Sequence, residues 1–263
     1  MRRLLLEVPA WMLLFAMLSF IYLPVVVLVL FSFQGGDLPV PPFDGPSLEW
    51  YRRVLANDRL ISSLGNSLIV GVVSSTVATL LGFLAAYSMF RMAPRAAGLV
   101  RVLLIAPVTV ANLIVGLGLL IVFNLAGLGR SLVAVGIGHV VINLPLCYAI
   151  IYSQFGDQLR NLDNAAHDLG AGDLATMSRV IAPVLIAPIV AAFCVSFTLS
   201  WDEFIIAMLL SRFDVTLPVM IFELMRAGLT PEVNAAGTIV FAISIFTAVI
   251  AALTMLLKQR RDS

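Results

Sequence analysis

Trp201, Asp202 and Glu203 place an indole and two carboxylates inside a long apolar run, FTLSWDEFIIAMLLS. A carboxylate near the centre of a helix in hydrocarbon costs about 2.5 kcal/mol or more, so it usually faces a cavity or a partner. Beside an indole it suits an organic ammonium, through charge pairing and cation–π contact. Adjacent residues on a helix point about 100° apart, so one of the two carboxylates is expected to face a pathway. The other reading is assembly: the pair holds Arg212, Arg226 or a second membrane chain. Glu223 and Glu232 lie in an outer loop near Pro218 and Pro231. They either contact a delivery protein or are solvated.

The remaining reactive residue types exclude most catalysis. The sequence has no GxxxxGK[ST] phosphate cradle, no HExxH and no Cys/His cluster with metal spacing. The chain is therefore expected to bind no cofactor of its own and to catalyse nothing. His139 and His167 sit on different segments, and His139 is expected to pack within its helix. The serines have no evident His and Asp neighbourhood in the sequence. The two cysteines, Cys147 and Cys194, lie far apart inside apolar runs and read as small buried hydrophobes.

These residues must be positioned by membrane helices. Of 263 residues, 61% are hydrophobic and 12% charged, far more apolar than a soluble domain. The class is an all-α, polytopic membrane protein, and the near-neutral charge gives no sign of nucleic acid. A helix needs about 20 apolar residues to cross about 30 Å of hydrocarbon. Six runs qualify, at residues 10–33, 64–90, 99–124, 131–152, 181–210 and 236–257. They form one membrane domain over residues 1–263, surrounded by lipid. Gly82, Gly116, Gly118 and Pro145 are expected to permit close packing or kinks. Met1-Arg2-Arg3 before the first run, without a small-x-small exit, reads as an anchor that is retained.

With both termini in the cytoplasm, ten of the sixteen Lys and Arg residues fall on the cytoplasmic side. The segment 34–62 is then an outer loop, with a short interfacial helix over Leu48–Leu55 that sets Trp50 and Tyr51 at the membrane surface. The segment 153–180 is a cytoplasmic loop between the fourth and fifth spans. In it, NAAHDLGAGDLATMSRVIAP predicts a short helix capped by Asp163 or Asn164, stopped by Gly170 and Gly172. A second helix follows, capped by Asp173, and Pro183 marks the return to the membrane. Ala165 and Ala166 leave one face nearly bare, where another protein's groove could approach the backbone.

That loop resembles the EAA loop of ABC-importer permeases, E-A-A-x-x-x-G followed by an apolar residue and L-P. Ala165, Ala166, Gly170, Ile181 and Pro183 match, and the spacing from Gly170 to Ile181 fits. Asn164 stands where the family usually has Glu, and Ala182 where Leu is usual. The first change removes a charge and leaves a cap or hydrogen-bond donor. Three other segments resemble the second permease of spermidine/putrescine-type transporters: SLEWYRRVLAN, FTLSWDEFIIAMLLS and TLPVMIFELMRAGLTPEVNAAGTI. Together the matches cover nearly the whole chain.

The resemblance implies a type I ABC importer permease fold in the inner membrane and half of a translocation pathway for a small cationic solute, a polyamine such as spermidine or putrescine. Opine and other amino-acid-derived solutes belong to the same subfamily. It implies a second permease as partner, two ATPase subunits that bind ATP and Mg, and a periplasmic or surface-anchored binding protein. It assigns docking on the ATPase to Asn164, Ala165, Ala166, His167, Asp168, Leu169, Gly170 and Ala171. A reading from another class is a passive channel or assembly protein, which would not need that loop.

Overall fold

The computed structural model describes residues 2–92, 94–228 and 230–259, with side chains for 11–92, 97–228, 230–246 and 249. Arg260 and Arg261, expected to be cytoplasmic, lie outside the described residues, as do the side chains of Arg2, Arg3, Arg95 and Lys258. Every named element among the described residues is helical. Two compact units form, Met1–Ile61 with Met220–Ile243, and Ser62–Val219 with Ser244–Ser263.

The first unit contains α1 (Arg2–Phe31) and α2 (Glu49–Ala56). From Trp11 to Leu30, α1 is apolar and almost wholly exposed, as expected of a helix bathed in lipid or covered by another chain. The connection between the two helices is held by Gln34. Its amide donates to the Pro42 carbonyl at 3.0 Å and accepts from the Asp44 N–H at 3.0 Å. The Trp50 indole donates to the Gln34 carbonyl at 2.9 Å and is 4% exposed. Trp50 is thus a buried staple of the loop, not a surface anchor. Glu232 accepts from Asn57 at 3.3 Å, and Glu223 lies 3.7 Å from Arg59. Both carboxylates have partners within this unit.

The second unit holds α3 (Asp58–Arg91), α4 (Pro94–Ile105), α5 (Asn112–Leu125) and α6 (Leu132–Tyr152). A connector built of α7 (Asp157–Asp168) and α8 (Asp173–Thr176) follows. The chain then runs through a π-helical turn, α9 (Ala182–Val184), α10 (Ile186–Trp201) and α11 (Ile205–Leu210). Two helices complete the chain, α12 (Leu217–Ala227) and α13 (Pro231–Gln259).

Among the described residues, three helices are long and apolar enough to cross a membrane: Trp11–Phe31, Asp58–Arg91 and Leu132–Tyr152. The expected spans 99–124 and 181–210 are not single helices. The first bends by 105° between Ala97–Thr109 and Asn112–Leu125, the second by 77° between Asp173–Val184 and Ile186–Trp201. Prolines explain both breaks. Pro107 sits in the 3-10 turn Ala106–Thr109, and Pro183 and Pro188 flank the bend at Leu185. Each lacks an N–H and crowds the carbonyl four residues back. Counting each bent pair once gives five spans. The sixth, 236–257, falls on α13, whose side chains from residue 250 on lie outside the described residues.

The core of the second unit is where α3, α6 and α10 meet, around Ala78, Phe83, Tyr87, Cys147, Ile151 and Ala192. Gly82 sets the closest approach. A Cβ there would lie 2.7 Å from the Cys147 Cβ and 2.8 Å from the Tyr148 backbone nitrogen. Gly118, by contrast, faces open space. Pro145 lies inside α6 without ending it.

Candidate functional site

The connector between α6 and α10 is a helix, a tight turn and a second helix, as expected, but its first helix begins earlier. Asp157 opens α7, so Asp163 and Asn164 lie within the helix and cap nothing. Gly170 has φ +85°, the left-handed conformation that ends helices and favours glycine. Its N–H reaches the His167 carbonyl at 2.8 Å, and the Ala171 N–H reaches the Ala166 carbonyl at 3.0 Å. Gly172 has an ordinary φ of −77° and is the N-cap of α8, so it starts the second helix instead of stopping the first.

Asn164, Ala165, Asp168, Leu169 and Gly170 are exposed, whereas Ala166 is buried and His167 and Ala171 are half-buried. The bare face is therefore Ala165's alone, and Ala166 packs inward. Leu169 is 89% exposed and Leu174 72%. Nothing in the sequence sets Leu174 apart from the other leucines, because its exposure follows from the fold of the connector.

Asp173 does not cap α8. Its carboxylate meets the Arg91 guanidinium and lies 2.9 Å from His167 Nε2. The Arg91 Nε is 3.8 Å from Asp163 Oδ2, and the Tyr87 hydroxyl donates to Asp163 Oδ1 at 3.0 Å. Nδ1 of His167 lies 2.7 Å from the Asp163 carbonyl oxygen, to which it donates. Hydrogen bonds to that carbonyl and to Asp173 raise the His167 pKa above its usual value. Only the imidazolium can donate through both nitrogens at once.

Trp201, Asp202 and Glu203 fall at a break between helices, which corrects the expectation that they interrupt one continuous helix. α10 ends at Trp201, and α11 begins at Ile205. Glu203 explains the break. One carboxylate oxygen accepts the Ile206 N–H at 3.1 Å and the other accepts from Asn112 Nδ2 at 2.9 Å. It caps α11 and ties it to the start of α5. Asp202 is exposed. Trp201 is 2% exposed and stacks on Phe197 at 6.1 Å, so its ring packs inward. Arg212 and Arg226 lie over Phe213 and Phe222 at 4.8 and 5.1 Å, and among the described residues no ion pair links Arg212 to Asp202 or Glu203.

His139 is fully buried, as expected of a packed histidine. Its Nδ1 lies 2.6 Å from Ser200 Oγ, which is 3.0 Å from Ser74 Oγ. The serine and histidine that looked unrelated in sequence thus meet, joining α3, α6 and α10. No carboxylate hydrogen-bonds this histidine, so the pair lacks the orienting group of a hydrolytic triad. Among the described residues no cluster of three metal-ligating side chains occurs.

Residues 78–262 match the family model described as "Binding-protein-dependent transport system inner membrane component". The chain is 29% identical over 237 residues to the spermidine/putrescine transport system permease protein PotC of Escherichia coli K12, covering 88% of this chain and 87% of the relative. It is 30% identical over 230 residues to the putrescine transport system permease protein PotI of the same organism, covering 84% and 82%. Its fold is similar to a chain in the crystal structure of a bacterial alginate ABC transporter in complex with an alginate pentasaccharide-bound periplasmic protein. There the TM-score is 0.70 at 16% identity, over 97% of this chain and 93% of the other.

Proposed function

The chain belongs to the family of binding-protein-dependent transport system inner membrane components, and on that premise we propose that it is the second permease of an ATP-driven polyamine importer. The observation that carries the solute class is the likeness to two polyamine permeases over more than four fifths of the chain. Spermidine or putrescine, delivered by a periplasmic binding protein, crosses a pathway to which this chain contributes half. A second permease contributes the other half. Two ATPase subunits, which bind ATP and Mg, supply the hydrolysis, and this chain catalyses no reaction. Both termini lie in the cytoplasm.

The turn at Gly170 docks on an ATPase subunit through Asn164, Ala165, Asp168, Leu169, Gly170 and Ala171, while Ala166 and His167 shape it from within. Leu169 and Leu174 support this reading, because both are held out from the fold where no residue of the connector covers them. ATP binding draws the two docking turns together, and the membrane cavity opens outward to accept the solute. Asp202 is the pathway carboxylate, since it is exposed while Glu203 is occupied by α5 and α11.

Uptake of labelled spermidine and putrescine by the complete complex in proteoliposomes tests the proposal. It must require both ATP and the binding protein. Conduction without ATP would make the assembly a channel, and uptake of an opine in place of a polyamine would move the solute class.

A further inference from the structure

Arg91 is the last residue of α3, and it reaches both limbs of the connector. Its guanidinium meets Asp173 on α8 and Asp163 on α7, on either side of the Gly170 turn. It also donates to the Tyr87 hydroxyl at 3.2 Å, which itself donates to Asp163. The Asp163 side chain is only 9% exposed, so this charge is sheltered. Further along α3, Gly82 presses against Cys147 and Tyr148 of α6. Contacts to both limbs link the turn to α3, and the close packing at Gly82 links α3 to α6.

We propose that Arg91 is the positioning residue through which movement of the Gly170 turn reaches the membrane helices. This rests on the reading of that turn as the docking element. A planar guanidinium can hold two carboxylates in fixed directions, whereas an ammonium presents a single point charge. The bond to Asp173 is charge-assisted, a kind about twice as strong as neutral ones, while Asp163, 3.8 Å from the guanidinium, adds charge attraction without a hydrogen bond. His167 shares Asp173 with Arg91 and gives the strap a titratable component. The groups facing it are the Asp163 carbonyl and carboxylate, the Asp173 carboxylate and Arg91. Once neutral, its Nε2 turns a lone pair toward Asp173 and that tie is lost.

The test uses the complete transporter in proteoliposomes. A cysteine at Ala165 is cross-linked to the ATPase subunit as a reporter of docking. The readout is the stimulation of ATP hydrolysis by the binding protein between about pH 6 and pH 9. Arg91→Gln is expected to keep the cross-link and to lower the stimulation about fivefold or more. The loss deepens as pH rises, because His167 is then the remaining tie to Asp173. Arg91→Lys falls between. Full stimulation with the cross-link intact would overturn the proposal. Absence of the cross-link when Ala165→Cys is the sole change would remove the docking reading, and the strap with it. Should Arg91→Gln fail to assemble, Asp173→Asn decides, since that carboxylate is 73% exposed. The same loss of stimulation upholds the strap, and none refutes it.

Discussion

Replacing Gly170 separates two effects that a single variant would mix. The residue sits at φ +85°, and a Cβ built on it meets nothing within 4 Å. Gly170→Ala therefore adds backbone strain and no clash within the chain. A left-handed L-residue costs about 1–2 kcal/mol, enough to lower the population of the native turn by about five- to 30-fold relative to its alternatives. Gly170→Asn is larger yet tolerates the left-handed region, so its strain is smaller. Gly170→Asp adds a charge that a docking cleft would have to desolvate. If the turn only shapes the connector, Ala is the most harmful of the three and Asn is mild. If the turn enters a groove on the ATPase, Asn and Asp are worse than Ala. The assay is binding-protein-stimulated ATP hydrolysis in proteoliposomes, with subunit co-purification as the control for assembly. Docking requires normal co-purification with stimulation falling from glycine through Ala and Asn to Asp. Wild-type stimulation and uptake in Gly170→Asp would refute the reasoning.

Asp202→Asn is expected to cut polyamine uptake by about five- to 150-fold, the equivalent of about 1–3 kcal/mol in the pathway; normal uptake with normal assembly would remove it from the pathway. Glu203→Gln weakens the cap on α11 and the tie to Asn112, and should lower the melting temperature of the solubilised complex through a loss of about 1 kcal/mol. Gly82→Ala drives a methyl group into backbone of α6 and should cost about 1–3 kcal/mol, read in the same thermal assay. The His167 pKa is raised in the fold, so its contribution is complete below its unfolded value of about 6.5. It is lost as pH rises through the folded pKa. The protection of the connector amides, taken relative to their intrinsic exchange rate at each pH, should therefore fall toward alkaline pH, and His167→Gln should remove that fall.

Local chemistry made the connector legible. Gly170 and Pro183 announce a turn and a re-entry because their backbone preferences act at their own positions. The helix start at Asp157 was missed because Asp163 and Asn164 are good caps that this fold uses otherwise. Asp163 is drawn to Tyr87 and Arg91, and Asp173 reaches across 82 residues to Arg91. No periodicity encodes such pairings. Hydropathy located the apolar runs but could not see them break. Averaged over a span, Pro107 or Pro188 weighs little, yet each removes a hydrogen bond at one place. The carboxylates misled for a related reason. A continuous helix set Asp202 and Glu203 about 100° apart but said nothing of their partners, and Glu203's contact with Asn112 joins residues 91 apart.

The break after Trp201 also divides the electrostatics. Aligned peptide dipoles leave about half a negative charge at a helix C-terminus and about half a positive charge at an N-terminus. At this point the negative end of α10 meets the positive end of α11. Glu203 lies on the second and largely cancels it, through the Ile206 N–H it accepts. Asp202 is left at the first, where carboxylate and dipole have the same sign. The backbone offsets part of the charge of one carboxylate and adds to that of the other. The local field is then more negative than one side chain would make it, and it would favour an ammonium group without any change in contacts.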